Sequence, residues 1–363
     1  MDYVIFGAQG FALGAYMALR ELYPRRKVRC FIVTEMLNNA PVLGGIPVRE
    51  IDEFASGLSI EDKHNIEVMI ATSENIQLEI EETLENYGFP YYKRLDFDRW
   101  NELMKLYYVK IGKYLPLKVL PAGFHEPFVR IYMARSAKDR ALKSSVTLPE
   151  YVFPVHAGSA LCSMKLAPLV DNVGENISLK NGNYCELTVL YWAWKNKLLK
   201  RGADDYVDRQ YYGLAHYRRF FDFGEDDLLR LVDNDVDVVL PYPLPYEPDI
   251  HAHHKRYLKE DDWSAVIQAL REIHPTDAAD FEEVLQQQYI YNYNIILAKK
   301  SVLRDYCEWL FPILERTEEL SVPRGSERSD RYIGYTAETL ETLYFTKYSD
   351  RLNVVHAGCK ILI

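Results

Sequence analysis

Asp2-Tyr-Val-Ile-Phe6, Gly7-Ala-Gln-Gly10-Phe-Ala-Leu-Gly14 and Val28-Arg-Cys-Phe-Ile-Val-Thr34 read in turn as a short apolar strand, a glycine turn opening a helix through Leu22, and a second strand. Such a βαβ opening places a helix N-terminus, with its free N–H groups, beyond a strand end, where a phosphate can be met. Gly7, Gly10 and Gly14 are the candidate nucleotide-loop glycines, and Glu35 stands where a ribose-binding acid would follow the second strand. Their spacing, GxxGxxxG, departs from the dinucleotide fingerprint GxGxxG. A parallel unit whose glycines serve only packing is therefore the competing reading.

Outward from this opening, alternation of strand and helix continues. Ile66 to Thr72 reads as another parallel strand, Glu74 to Tyr87 as the helix after it, and Asp96 to Tyr114 as a helix with Phe97, Trp100, Leu103, Met104 and Tyr107 on one face. Leu115 to Gly123 reads as a linker, so the division falls at 1–120 and 121–363. Beyond it, Phe128 to Ala134, Tyr151 to Ala157, Tyr211 to Ala215, Val236 to Pro241 and Tyr289 to Lys299 read as strands. Asn181 to Asn196 and Ser301 to Glu315 read as helices. The expected class is α/β: a mixed sheet covered by helices, preceded by a small Rossmann-like parallel unit.

Composition narrows the function. A chain of 363 residues with 48% hydrophobic and 26% charged residues buries a sizeable core, and its length favours two domains. A net charge of −10 disfavours non-specific nucleic-acid binding, which needs a surplus of Lys and Arg. Cys30, Cys162, Cys185, Cys307 and Cys359 are dispersed without metal spacing and read as reduced thiols. The apolar stretch Tyr3 to Leu19 follows Asp2 without a basic n-region, and no other run approaches the length of a span. The expected location is cytoplasmic, peripheral at the inner membrane face at most.

Several blocks carry a resemblance. Asp171-Asn-Val-Gly-Glu-Asn-Ile-Ser-Leu-Lys-Asn181, Tyr184-Cys-Glu-Leu-Thr188, Tyr191-Trp-Ala-Trp-Lys-Asn196 and Gly213-Leu-Ala-His-Tyr-Arg-Arg-Phe220 resemble the DUF4422 family. The likeness runs on through Val236 to Pro241, Tyr293 to Ala298, Tyr306 to Pro312 and Arg331-Tyr-Ile-Gly-Tyr-Thr-Ala-Glu338, about residues 128 to 350. It implies a GT-A-type glycosyltransferase of bacterial capsule or lipopolysaccharide synthesis. Its substrates would be a nucleotide sugar, UDP-linked by preference, and a saccharide or lipid-linked saccharide acceptor. The N-terminal unit, which many relatives lack, more loosely resembles the N-terminal domain of certain sugar acyltransferases.

A nucleotide-sugar transferase must neutralise the departing diphosphate, and most GT-A folds use a divalent cation on a DxD motif at a strand end. Here Asp233-Asn-Asp235 and Asp235-Val-Asp237 precede their strand, whereas His216-Tyr-Arg218-Arg219 follows one. Arginine forks match phosphate oxygens and keep their charge. Arg218 is the first choice for the diphosphate, with Arg219 and His216; alternation in an extended segment would put His216 and Arg218 on one face. Arg135, His156, Ala157, Asp171, Asn172, Asn176, Lys180, Asn181 and Asn292 are the further donor-binding candidates, and Asn176 and Ser178 are equally good helix caps. An inverting reaction needs a base for the acceptor hydroxyl, for which Asp330 and Glu338 are the candidates, beside Gly334, whose bare backbone admits a sugar ring. No resident cofactor is expected, a metal is disfavoured, and His251-Ala-His253-His254 lacks the support of a metal site. Two other classes compete: a nucleotide-sugar-modifying or NAD(P)-dependent enzyme working through the N-terminal unit, and a non-catalytic subunit of polysaccharide assembly.

Overall fold

A computed structural model describes residues 1–142, 147–198, 209–224 and 226–362. The chain divides into two compact units, Met1–Leu115 with Leu244–Glu247, and Pro116–Pro243 with Pro248–Leu362.

In the first unit, β1 (Asp2–Phe6), β2 (Val28–Val33), β3 (Val42–Leu43), β4 (Ile46–Glu50), β5 (Ile66–Ile70) and β6 (Tyr92–Arg94) form a sheet in the order β3-β4-β2-β1-β5-β6. Every pairing is parallel except β3 with β4. Helices α1 (Gly10–Leu22), α2 (Ile51–Ser56), α3 (Ile60–His64), α4 (Gln77–Asn86) and α5 (Phe97–Ile111) follow or connect these strands. Local chemistry sets the ends of α5: the Asp96 carboxylate accepts from Arg99 N at 3.0 Å, and Gly112 closes the helix at φ 64°.

The opening glycines are explained by packing. Gly7 sits at φ +120°, and a Cβ there would lie 2.7 Å from the Ala71 carbonyl oxygen. A Cβ on Gly10 would meet the Tyr246 ring at 2.9 Å, and one on Gly14 the Trp100 ring at 3.4 Å. The chain's own Tyr246 thus packs directly against Gly10, and Glu35 is exposed beyond β2. Gly7→Ala is expected to cost about 2 kcal/mol or more, because the left-handed backbone and the carbonyl clash act together. The urea midpoint of unfolding reads this; an unchanged midpoint would contradict it.

The second unit holds β7 (Phe128–Arg135), β8 (Val152–His156), β9 (Leu169–Val170), β10 (Gln210–His216), β11 (Arg219–Phe221) and β12 (Val238–Pro241). After β13 (Leu244–Pro245), which belongs to the first unit, come β14 (Tyr289–Ile290), β15 (Ile296–Lys299), β16 (Val354–Ala357) and β17 (Cys359–Ile361). Nine strands make one mixed sheet with the path β16-β12-β15-β10-β7-β8-β9, and β11 links β10 to β17. β15 runs antiparallel to both β10 and β12, while β7, β8, β9, β10, β12 and β16 share one direction. Their C-terminal ends therefore share one sheet edge, which carries Arg135, His156, His216, Pro241 and Ala357. Ile131, Met133, Tyr211, Val239, Leu297 and Val355 fill the core of this sheet.

The helices of this unit are α6 (Asn181–Tyr184), α7 (Leu187–Ala193), α8 (Leu229–Asp233), α9 (Ile250–His254), α10 (Glu260–Ile273), α11 (Pro275–Leu285), α12 (Lys300–Leu320) and α13 (Tyr332–Lys347). Two expected elements are broken. The helix over 181–196 is interrupted at Cys185 (φ 49°, ψ −127°) and ends in a π-turn over Trp194–Leu198. The strand over 289–299 is split by Tyr293 (φ 77°) and Asn294 (φ 49°). Both interruptions face the site described next.

Candidate active site

β10 and β11 form a tight hairpin in which His216 pairs directly with Arg219, so Tyr217 and Arg218 make the turn. Directly opposed residues of an antiparallel pair lie on the same face. The expected sharing of a face by His216 and Arg218 is therefore replaced by His216 with Arg219; the chain reverses where an extended segment would have alternated. The Arg219 guanidinium lies 3.9 Å from the centre of the Tyr293 ring, and its Nε is buried without a hydrogen-bond partner among the described residues. Arg218 Nε and His216 Nδ1 are in the same condition. Burial, reinforced by the charges of Arg219, Arg331 and Arg218, pushes the His216 imidazole down to about 3, so it is neutral at physiological pH. Arg218 and Arg135 also act on Asp139, whose carboxylate accepts from Ser136 N at 2.8 Å and Ser136 Oγ at 3.0 Å.

Beside these cations lie three carboxyl groups with little access to water. Glu186, Glu338 and Glu341 are all raised, by burial first. The charge of Glu186 adds to the effect on Glu338, which reaches about 8, against the Tyr293 N–H and the charges of Arg219 and Arg331. Glu338 keeps 12% of its side-chain exposure, and its Oε2 is 3.9 Å from His254 Nε2. Asn294 Nδ2 donates to Glu186 Oε1 at 2.7 Å and to the Gly334 carbonyl at 3.2 Å. Arg331 Nε donates to Cys185 Sγ at 3.3 Å. Among the described residues, seven non-glycine residues have positive φ, and Cys185, Tyr293, Asn294 and Arg331 are four of them. Backbone held in costly conformations concentrates at functional sites. Here the four residues are the ones that bind one another, the buried glutamates or an arginine.

The other expected residues divide sharply. Arg135 is exposed at the edge, opposite His156 in the β7–β8 register, and His156 Nε2 is buried without a partner among the described residues. Ala157 is buried and its N–H donates to the Arg135 carbonyl at 2.7 Å. The Asp171 carboxylate is used within its own loop, accepting from Gly158 N, Ser159 N, Ser159 Oγ and Ser178 Oγ at 2.6–3.0 Å. Asn176 accepts from Ser178 N at 3.2 Å and donates to the Gly174 carbonyl, a turn role. Lys180 pairs with Glu318, and Asn181 Nδ2 donates to the Cys185 carbonyl at 2.7 Å. Asn172 is exposed and Asn292 buried.

Of the two candidate bases, Asp330 is gripped by Arg328 through Nε and Nη2, and this pairing holds its carboxyl low against the effect of burial. Arg328 also engages Asp262 at 2.6 Å. Among the described residues no Lys or Arg clasps Glu338 in this way. Gly334 faces Asn183 and Cys185, the latter with Sγ 3.5 Å from where a Cβ would stand, so it admits a neighbouring helix rather than a sugar ring.

The acidic pairs expected at the opposite edge are there: Lys299 binds Asp235 and Asp237 at the start of β12, and Asp233 accepts from Phe124 N, His125 N and His125 Nδ1. His254 is buried with its Nδ1 3.2 Å from the Ile250 carbonyl, and His251 Nε2 lies 3.5 Å from Glu260. Among the described residues no three His, Cys, Asp or Glu side chains are disposed to hold a metal ion. Trp192 and Trp194 are core residues, Trp194 stacking on Phe311 at 5.3 Å. Sequence reading missed Asn294, Arg331 and Glu341; a Tyr-Asn pair inside an apolar strand was the only signal for the first.

This architecture, a mostly parallel six-stranded sheet and a larger mixed sheet covered by helices, is of the mixed α/β class and similar to that of a glycosyltransferase. Residues 131–349 match the profile of DUF4422, a domain of unknown function, and the chain belongs to that family. Among solved structures it is similar to the apo structure of the WbbM bifunctional glycosyltransferase, with 25% identity and a TM-score of 0.54. The match covers 64% of this chain and 45% of that one, so the chain spans less than half the length of its structural relative. No curated protein matches its sequence significantly. No described helix is long and apolar enough to cross a membrane.

Proposed function

We propose that the chain is a hexosyltransferase that moves a sugar from a nucleotide sugar, UDP-linked by preference, to a growing surface-polysaccharide acceptor. The observation that carries this reading is the β10–β11 hairpin: two arginines and a neutral histidine at the sheet's C-terminal edge, each with a buried nitrogen lacking a partner among the described residues. A diphosphate supplies acceptors for such donors, and strand C-termini are where open α/β sheets receive ligands. Arg218, on the turn and near Arg135, meets the diphosphate; Arg219 and His216 face the transferring sugar. Glu338 is the base for the acceptor hydroxyl, because it is the candidate carboxyl without a clasping arginine and its raised affinity for protons suits proton removal near neutrality.

The test is calorimetry of the full chain with UDP, GDP and CMP, followed by product formation from the matching nucleotide sugar. Arg218→Ala is expected to weaken nucleoside-diphosphate binding by about 10- to 100-fold, the scale of a charge-assisted hydrogen bond. Transfer is expected to persist in excess EDTA, since Asp235 and Asp237 are paired with Lys299 at the far edge. Unchanged affinity in a folded Arg218→Ala protein, or activity lost to chelator and restored by manganese or magnesium, would overturn these respective assignments.

A further inference from the structure

We propose that the acceptor sugar carries a carboxylate, and that Arg331 reads it beside a platform made by the stacked rings of Tyr257 and Tyr335. This rests on the transferase reading and adds the chemical class of its acceptor. Tyr257 and Tyr335 stack at 4.5 Å with 19° between their planes, and Tyr257 keeps 43% of its surface exposed. An exposed aromatic face can take the apolar face of a pyranose. The Arg331 guanidinium lies 5.9 Å from the Tyr335 ring.

Arg331 is held in an unusual way for a surface arginine. It stands at the start of α13 with φ 68°, a conformation that a bulky side chain adopts at a cost. Its Nε is occupied by Cys185 Sγ, a residue itself at φ 49°. That thiol is pushed up to about 12 by burial and by Glu186, so it stays neutral and does not offset the guanidinium charge. Among the described residues no carboxylate comes within 4 Å of Arg331. In a chain of net charge −10 the Nη fork of this cation has no hydrogen-bond or ion-pair partner among the described residues, and Glu186 and Glu338 only feel its charge. A guanidinium fixed through Nε presents that fork in one plane, the geometry that a carboxylate fits and a neutral hydroxyl does not require. Glu338, the proposed base, is on the same helix and feels the charge of Arg331, as expected where an acceptor hydroxyl and its ring carboxylate are met together.

The experiment is titration of the full chain with methyl glucuronide and methyl glucoside at low ionic strength, followed by saturation-transfer NMR. Methyl glucuronide is expected to bind at least about tenfold more tightly, Arg331→Gln to remove the difference, and Tyr257→Ala to weaken both glycosides. Arg331→Lys, which keeps charge but loses the fork, is expected to retain only part of the preference and serves if the glutamine variant does not fold. Equal binding of the two glycosides, binding of neither, or a preference that survives in folded Arg331→Gln overturns the inference. Nucleoside-diphosphate affinity, measured alongside, separates the two failures. Intact diphosphate binding without glucuronide preference sinks this proposal alone, and glucuronide preference without any diphosphate or nucleotide-sugar binding sinks the transferase reading.

Discussion

Glu338→Gln is expected to lower the rate of transfer by about 10²- to 10⁴-fold, the usual contribution of a positioned base, while leaving nucleoside-diphosphate affinity within about threefold. Glutamine keeps the shape and the capacity to accept from Tyr293 N but cannot take a proton. The wild-type group titrates at about 8, so the fraction able to act as a base grows with pH and the rate should climb to a plateau above that value. The same group ties stability to pH with the opposite sign. Its ordinary value is 4.5 and its folded value about 8, so between these limits the folded chain holds a proton that the unfolded chain has released. Stability therefore falls as pH rises through this window, by on the order of 5 kcal/mol from this group if it acted alone. In the glutamine variant that slope is expected to flatten. Rate profiles between pH 6 and 9 and urea melts at the same pH values check both halves. A folded variant that retains more than a tenth of the activity would remove Glu338 from the role of base.

Arg219→Ala is expected to act on three groups at once, because this side chain stands between them. It covers the Tyr293 ring, its charge lowers His216, and it opposes the rise at Glu338. Removing it takes a charge-assisted contact from the donor, a loss of about 10- to 150-fold in affinity or rate. It also moves the titration of Glu338 upward, so the rate plateau shifts to higher pH, and moves that of His216 upward from about 3. Arg219→Lys should restore the two titrations in large part but not the donor contact, since an ammonium lacks the fork. Rate profiles and the imidazole NMR signals separate these effects. A folded Arg219→Ala protein with an unaltered pH profile would show that the arginine and Glu338 are not coupled.

Much of the architecture was readable because it depends on local pattern. The run Asp2 to Phe6, the helix from Gly10 and the strand from Val28 fall within a residue or so of their expected limits, since apolar runs, glycines and periodicity act over a few residues. The strand ending at His216 was likewise legible, as was the start of β12 behind the acidic pairs. The two broken elements were not. Nothing local forces Cys185 or Asn294 into positive φ. These conformations persist because Arg331, Glu186 and Gly334, distant in sequence, hold their side chains or neighbours.

The site shows the same division. That a basic cluster stands at a strand end follows from the order of residues Tyr211 to Arg219, and the sequence alone also placed the acidic pairs before their strand. Which arginine faces which partner required the hairpin, because a reversal at Tyr217 and Arg218 turns an alternation rule into a cross-strand pair. Asp171 and Lys180 stood as donor-binding candidates, and Asp330 stood beside Glu338 as a candidate base. Contacts across the fold committed the first to its own loop and the second to Glu318, while the third is clasped by Arg328, two residues away, which Asp262 holds in place from a distance in sequence. Charge and hydrogen-bonding capacity are properties of a residue and can be read from its name. Whether they remain free for a ligand depends on every group the fold brings within about 3 Å, and most of those groups, such as Glu318 for Lys180 and Asp262 for Arg328, are placed by long-range packing.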